Sequence, residues 1–240
     1  MASVIDAIRN FTNDKMVIPK FILLLLPVLF LYFLGEDVMN YPAMTWGIFY
    51  YFVGYLIVTF HKAIKDRELY LPNPITSILD VIIRGFVGII CILPISIAAF
   101  YLILFFENLQ NTVAEVKYIA IIFALLIWFA VVLVQLTLYA KEYNPLDAFN
   151  FKIIFDVGGE FMIQILKLFI QIGIFIIIPA YFVYLAGDSA FGEVASSFVI
   201  FKLSLYAFVT LLAYIISIEF FIQMYEELII SDEDLDYLHL

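Results

Sequence analysis

The sequence is poor in the side chains that soluble enzymes and metal proteins use. Of its 240 residues, 14% are charged, one is cysteine and two are histidine. A single cysteine excludes an intrachain disulfide, and Cys91, His61 and His239 are too few for a typical His- or Cys-rich metal site. The HExxH, GxSxG and phosphate-loop patterns are also absent. We therefore predict no catalytic residue, no metal site and no cofactor.

Basic residues are also scarce. The chain has twelve Lys and Arg residues in total, and they form no basic stripe. Nucleic-acid binding is excluded on that ground. The formal net charge is −10, but much of it belongs to the acidic C-terminal end, residues 231–240. We interpret this end as a solvated tail, and the alternative is a docking strip for a basic cytoplasmic partner.

Apolar residues are abundant instead and make up 65% of the chain, which indicates an integral membrane protein. A bilayer span needs about 20 mostly apolar residues, and backbone groups in lipid have to be hydrogen-bonded within the segment. The predicted fold class is therefore all-α, a polytopic membrane protein with six transmembrane helices. The predicted spans are Met16–Leu34, Ala43–Phe60, Gly85–Phe106, Tyr118–Ala140, Leu168–Ala186 and Leu203–Tyr225.

The positive charges predict the orientation. Ten of the twelve Lys and Arg residues flank one side of the predicted spans, and only Lys117 and Lys202 flank the other. Positive residues collect on the cytoplasmic side of a membrane, so we predict a multi-pass protein of the cytoplasmic (inner) membrane with both termini cytoplasmic. The first apolar run lacks a small-residue cleavage site, so we expect it to remain in the mature protein.

A weak internal repeat organises the chain. The segments 3–8, 73–78 and 144–149 align without gaps, and each begins with Ser or Asn, residues that cap helices. A proline follows each segment in a predicted span, at Pro27, Pro94 and Pro179. We predict one transmembrane domain, 1–230, made of repeat units at about 1–70, 71–142 and 143–230. Each unit is a membrane hairpin, and the three hairpins follow one another in tandem.

Each hairpin is predicted to be preceded by a cytoplasmic amphipathic helix that lies in the headgroup plane. In the second copy the apolar residues of 75–83 recur at helical spacing, with Asp80 and Arg84 off the apolar stripe. In the third copy we expect Gly158 and Gly159 to break the amphipathic helix from an insertion, Glu160 to Lys167, that extends the fifth membrane helix at its cytoplasmic end. These helices suggest contact with membrane lipids and a surface for a protein partner.

Proline and glycine positions suggest how the spans pack. One interpretation of Pro27, Pro94 and Pro179 is three equivalent bends around a central cavity, and the alternative is that each proline is merely tolerated in its helix. Gly85 with Gly88, and Gly47 with Gly54, are candidates for close helix packing. No GxxxG motif is present.

The residues resemble a known family. The run from Gly54 to Leu56, the basic turn HKAIKDRELYLPNP, Arg84 with the next two residues and the proline span at CILP are similar to an uncharacterised prokaryotic membrane family, domain of unknown function 4013. The later LYAKEYNPLDAFNFKIIF resembles that family's second cytoplasmic connection. The resemblance implies a multi-pass protein of bacteria or archaea, and the family has no catalytic residue to carry over.

One carboxylate, Glu219, lies inside a predicted span, and such residues are functional candidates. Glu219 is six residues before Tyr225, or about 9 Å along a helix. It is therefore either an interfacial acid or a structural partner of a basic residue such as Lys167 or Arg84. The alternative is a proton or cation site.

The partners for such a site would be the glutamines Gln135 and Gln171, with Gln223 as a further member. Mid-span glutamines more often join helices than bind solutes. We therefore expect a non-enzymatic structural, assembly or partner-docking component of the cytoplasmic membrane. The alternative is a small-solute or ion transporter with a site near Glu219 and the proline-bent helices, and an enzyme of lipid metabolism ranks third because polar residues do not cluster.

Overall fold

The structure is a computed structural model. It describes residues 5, 7–9, 16–34, 40–66, 72–75, 78–108, 114–191 and 195–225. All secondary structure in this part of the chain is helical, with no strand, which confirms the predicted all-α class. Most of the first predicted amphipathic helix and the whole acidic tail lie outside the described residues.

Seven α-helices have described bounds, and residues 5 and 7–9 are helical as well. The seven are α1 (Val17–Leu34), α2 (Pro42–Asp66), α3 (Ile78–Glu107), α4 (Ala114–Glu142), α5 (Phe151–Ile172), α6 (Ile178–Phe191) and α7 (Ala195–Tyr225). The π-helical segment Gly173–Ile177 joins α5 and α6 into one long rod. Six stretches are therefore long and apolar enough to cross a membrane, as expected for a multi-pass membrane protein.

The helices do not all pack as sequential pairs. The largest interface joins α2 to α3, followed by α3 with α4, and α5 packs on α4. Helix α1 packs mainly against α7: the Phe21 and Phe208 rings are 5.3 Å apart, and the Tyr32 hydroxyl is 2.8 Å from the Thr210 hydroxyl. The first predicted hairpin is thus loosely joined, and tandem hairpins stay a prediction for the chain as a whole.

Burial divides the bundle into two parts. In one part almost every turn contains buried side chains, and in the other Ala124 is the one apolar side chain that the described residues bury. The packed half comprises 54–66 of α2, 78–91 of α3, 130–142 of α4, α5 and 207–225 of α7. The open half comprises 42–53 of α2, 92–107 of α3, 116–129 of α4, α6 and 199–206 of α7. The packed half adjoins the end that the basic residues predict to be cytoplasmic.

Glycines allow α2 and α3 to touch in the packed half. A methyl group on Gly54 would overlap the carbonyl oxygen of Val81, and one on Gly85 would overlap the carbonyl oxygen of Tyr50. Backbone therefore lies directly against backbone, an approach that small residues permit in membrane helices. The same test at Gly47, in the open half, finds nothing within 4 Å, because Gly47 borders the groove between α1, α2 and the start of α3.

Two helix boundaries differ from expectation. Helix α3 runs without a break from Ile78 to Glu107, so its amphipathic start continues directly into the span. Helix α5 passes through Gly158 and Gly159, so the predicted break there is wrong. Its N-cap is Asn150, whose side chain accepts from the Ile153 amide at 3.4 Å. Packing of the buried row that begins at Ile154 outweighs the low helix propensity of two glycines, about 1 kcal/mol each.

The three prolines are not equivalent. Pro27 and Pro94 lie inside continuous α-helices, whereas Pro179 directly follows the π-helical segment. A proline clashes with the carbonyl four residues earlier, and a π turn widens the helix at that point. Pro27 borders a groove between α1 and α2, while Pro94 and Pro179 are exposed on the outside of the bundle. The described residues do not place the three around one cavity.

Candidate functional site

Buried polar residues of the spans collect near one end of the packed half. Thr59, Gln135, Thr137 and Glu219 are at most 3% exposed, and each lies five to seven residues before the last residue of α2, α4 or α7. The two threonine hydroxyls donate to carbonyls one turn earlier, at 2.7 Å. These positions are about 8–11 Å from the helix ends at 1.5 Å per residue.

Glu219 lies in a buried, mostly apolar stretch of α7. Its exposed fraction is 1%, and Ile215, Ile216, Ile218 and Phe220 are equally buried. Glu219 makes a polar or electrostatic interaction of its own. Arg84, one of its two suggested partners, pairs with Asp80 instead, with 2.6 Å between Nε and Oδ2.

The predicted glutamines differ in their surroundings. Gln135 is 1% exposed, and its side-chain oxygen has no hydrogen-bond partner among the described residues. Gln171 and Gln223 are half-buried and make polar contacts. None of these three, nor Glu219, lines the two apolar cavities between the spans or the polar cavity beside the end of α4.

Two cavities that described residues form between the spans are apolar. One, of about 370 Å³, lies between α1, α2 and α7 and is bordered by Tyr32, Thr210 and Tyr214. The Tyr214 hydroxyl donates to the Phe52 carbonyl at 2.6 Å, so its hydrogen is already used within the protein. The other, of about 490 Å³, is the groove between α1, α2 and the start of α3. Apolar walls of this kind suit acyl chains better than ions.

An Asn-Pro turn folds back along α2 before α3 begins. The Tyr55 hydroxyl donates to the Pro72 carbonyl and the Tyr51 hydroxyl to the Pro74 carbonyl, both at 2.8 Å. These tyrosines lie eleven and fifteen residues before the end of α2, about 17 and 22 Å along the helix. Asn73 Oδ1 accepts from the Ile75 amide at 3.1 Å.

This turn is chemically suited to its depth. Irregular backbone within a membrane is tolerated where protein surrounds it and its polar groups have partners. Pro72 and Pro74 are buried and have no N–H to satisfy, and tyrosine hydroxyls bind both of their carbonyls. The turn therefore brings polar groups deep into the bundle without leaving these carbonyls unsatisfied.

The second Asn-Pro turn has the same local geometry. Asn144 Oδ1 accepts from the Leu146 amide at 3.2 Å, two residues on, as Asn73 does in the first turn. A short 3-10 helix, Asp147–Phe149, then leads into α5. The two positions that the repeat aligned thus have the same hydrogen-bond pattern, although the cap of α5 is Asn150 and not Asn144.

A polar cavity of about 360 Å³ lies where the first turn, α2, α3 and the end of α4 meet. We call it the polar pocket. Its wall is formed by Tyr55, Val58, His61, Lys62, Pro72, Asn73, Asp80, Val81, Arg84 and Tyr143. Its side chains include the Lys62 ammonium, the Arg84 guanidinium, the His61 imidazole and the Asp80 carboxylate. The described walls of the two apolar cavities have no such groups.

Tyr143 holds two of the basic side chains in position. The Arg84 Cζ atom is 3.4 Å from the centre of the Tyr143 ring, and the His61 ring is stacked on the same phenol at 4.0 Å. Two groups this close cannot share one face, so they lie on opposite faces. The backbone of Tyr143 has a φ of 55°, a left-handed conformation that costs an ordinary residue about 1–2 kcal/mol. Stacking on both faces offsets that cost.

A hydrogen bond determines the tautomer of His61. Its Nδ1 is 2.8 Å from the Ala140 carbonyl oxygen, which can only accept, so Nδ1 carries a proton. The Nε2 atom therefore accepts when the ring is neutral and donates when the ring is charged. The sequence interpretation singled out Arg84 alone among these residues, because His61, Arg84 and Tyr143 are far apart in the chain. Two tyrosines one turn apart before a Pro-Asn-Pro sequence were a signal that could have identified the turn.

No metal site is formed by the described chain, in which no group of three or more His, Cys, Asp or Glu side chains is placed to hold an ion. The six long apolar helices are those of a multi-pass membrane protein. Comparisons with protein-family models, with curated proteins and with solved structures find no match. The resemblance to the uncharacterised prokaryotic family stays a prediction from the sequence.

Proposed function

We propose that the protein is a non-enzymatic structural or assembly component of the cytoplasmic membrane that docks a partner on its cytoplasmic side. One observation carries the proposal: the packed half is filled with apolar side chains around Glu219, while the polar pocket opens near the end where the basic residues collect. A filled interior suits a rigid scaffold. A carrier needs a polar route that reaches its binding residue at membrane depth.

Site-specific photocrosslinking in cells tests the docking role. A crosslinking amino acid at Lys152, which is exposed at the start of α5, is expected to capture a discrete protein. The matched position is Lys117, near the other end, where its amine donates to the Glu107 carbonyl. Capture at 117 and not at 152, or at neither position, would contradict docking on the cytoplasmic side. Lipid and protein mass spectrometry of the same sample identifies what is bound.

The alternative is a proton or cation carrier. It is favoured by one observation, the burial of Glu219 and Gln135 at similar distances from the ends of α7 and α4. Proteoliposomes that contain a pH-sensitive dye distinguish the two functions. We expect Glu219→Gln to insert and fold, and its proton leak to equal that of the wild type. A flux that the substitution abolishes would establish the carrier and overturn the scaffold.

A further inference from the structure

We propose that the polar pocket is a binding site for a phosphate group, supplied either by the headgroup of an anionic lipid or by free phosphate. It concerns the same pocket that supports the docking role, but phosphate binding and protein capture are measured separately, so either can fail without the other. It lies beside the Asn-Pro turn, between Lys62 of α2 and Arg84 of α3, with His61 and Tyr143 on its wall.

The charge of the pocket favours an anion. Lys62 and Arg84 contribute two positive charges and His61 a third when it is protonated, against the single carboxylate of Asp80. That carboxylate is held by Arg84 Nε at 2.6 Å. The described residues of its wall therefore sum to a positive charge whether the imidazole is neutral or charged. A phosphate oxygen that enters the pocket meets charged donors, which form the stronger hydrogen bonds.

The guanidinium of Arg84 is held in one orientation but has N–H groups left to bind a ligand. It has five N–H groups, all in its plane. The bond to Asp80 uses one, and the stack on Tyr143 uses none because it involves the face of the guanidinium. The remaining four N–H groups have no hydrogen-bond partner among the described residues. Such a fork matches two oxygens of one phosphate.

Tyr143 prepares the site before a ligand arrives. Its ring lies between the Arg84 guanidinium and the His61 imidazole, so both side chains lose little freedom when they bind. The His61 Nδ1 proton is committed to the Ala140 carbonyl, which leaves Nε2 for a ligand. An aromatic residue in a left-handed conformation is an outlier of the kind that occurs at ligand sites.

The surroundings make a lipid headgroup a natural source of the phosphate. Pro72 and Asn73 border the polar pocket, while Pro74 and Ile75 of the same turn border the apolar groove of about 490 Å³ beside α1. Next to these, Ile78, Leu79 and Ile83 are exposed on the outside of α3. A phosphate held by Arg84 would thus lie close to surfaces that take acyl chains.

Native mass spectrometry of the full-length protein in mild detergent tests the site. The probes are dioleoyl phosphatidylglycerol, dioleoyl phosphatidylcholine and inorganic phosphate, each titrated separately and phosphate also in competition with the lipid. We expect phosphatidylglycerol to bind better than phosphatidylcholine. Arg84→Gln should weaken phosphatidylglycerol binding about tenfold, the loss of one charged bidentate contact. Lys62→Gln should weaken it several-fold.

The control is Lys152→Gln, which removes one exposed positive charge outside the pocket and should change binding less than about twofold. Thermal unfolding of each variant checks the fold. If Arg84→Gln does not fold, phosphatidylglycerol binding by Lys62→Gln and His61→Gln tests the site. Binding of phosphate alone, sensitive to Arg84, identifies free phosphate as the source. Equal lipid binding by all variants, or equal binding of the two lipids, would overturn the site.

Discussion

The packed and open halves of the bundle belong largely to the same helices but pack very differently. The α2–α3 crossing in the packed half brings backbone against backbone at Gly54 and Gly85, whereas Gly47 in the open half meets nothing within 4 Å. Phe100, Tyr101 and Phe105 of the open half point away from the bundle. In lipid, burying an apolar side chain against another helix gains little over burying it in acyl chains. Small residues and polar contacts therefore decide which half packs.

The largest effect is expected at the helix crossing. Gly54→Ala places a methyl group on the Val81 carbonyl oxygen, a backbone atom that cannot rotate away. Overpacking costs about 1–3 kcal/mol and occasionally more, and we expect the upper end, measured as the free energy of unfolding in detergent. Gly47→Ala is the matched control and should leave stability unchanged or slightly higher. Equal effects at the two glycines would remove the distinction between the halves.

A smaller effect is expected at the Asn-Pro turn. Tyr55→Phe removes the hydroxyl that donates to the buried Pro72 carbonyl, and an unsatisfied buried acceptor costs about 1–3 kcal/mol. Thermal unfolding in detergent measures the loss. Tyr101→Phe, on an exposed tyrosine of the open half, is the control and should have no measurable effect. If both variants unfold alike, the turn is not held by its tyrosine.

The smallest effect is expected in the open half. Trp128 Nε1 donates to the Ser96 hydroxyl at 3.0 Å, and both residues are only half-buried. Ser96→Ala removes the acceptor at a cost of about 0.6 kcal/mol, the average for hydrogen bonds between membrane helices, because the unfolded state within the membrane also finds partners. The free energies of unfolding of Ser96→Ala and Tyr55→Phe, measured under the same conditions, show which variant loses more stability. A larger loss at Ser96 than at Tyr55 would contradict the comparison.

The sequence contained enough to predict the spans, because hydropathy and length alone define a membrane helix. It also indicated glycine packing, which the structure confirms at Gly54, Gly85 and Gly88 but not at Gly47, which borders open space. Helix boundaries were less predictable: the cap of α5 is Asn150 and not Asn144, because Asn144 uses its side chain within its own turn. Propensity favoured a break at two glycines, and tertiary packing overrode it.

The polar pocket was beyond reach of the sequence for a geometric reason. His61 and Arg84 lie on the consecutive helices α2 and α3, and Tyr143 contacts both from the end of α4. Tyr143 adopts a left-handed conformation, which no residue pattern in the sequence predicted. The hairpin interpretation assumed that neighbours in sequence are neighbours in space. Helix α1 departs from it and lies on α7, because contacts such as that of Tyr32 with Thr210 join the first and last spans.

The π-helical segment before Pro179 also determines which residues of α6 meet the lipid. A π turn accommodates one residue more than an α turn, so it shifts the angular position of everything that follows by about 100°. Deleting a single residue between Gly173 and Ile177 would rotate α6 by that angle and bring a different set of side chains to its outer surface. The one additional residue of the π turn thus determines which side chains of α6 face outward.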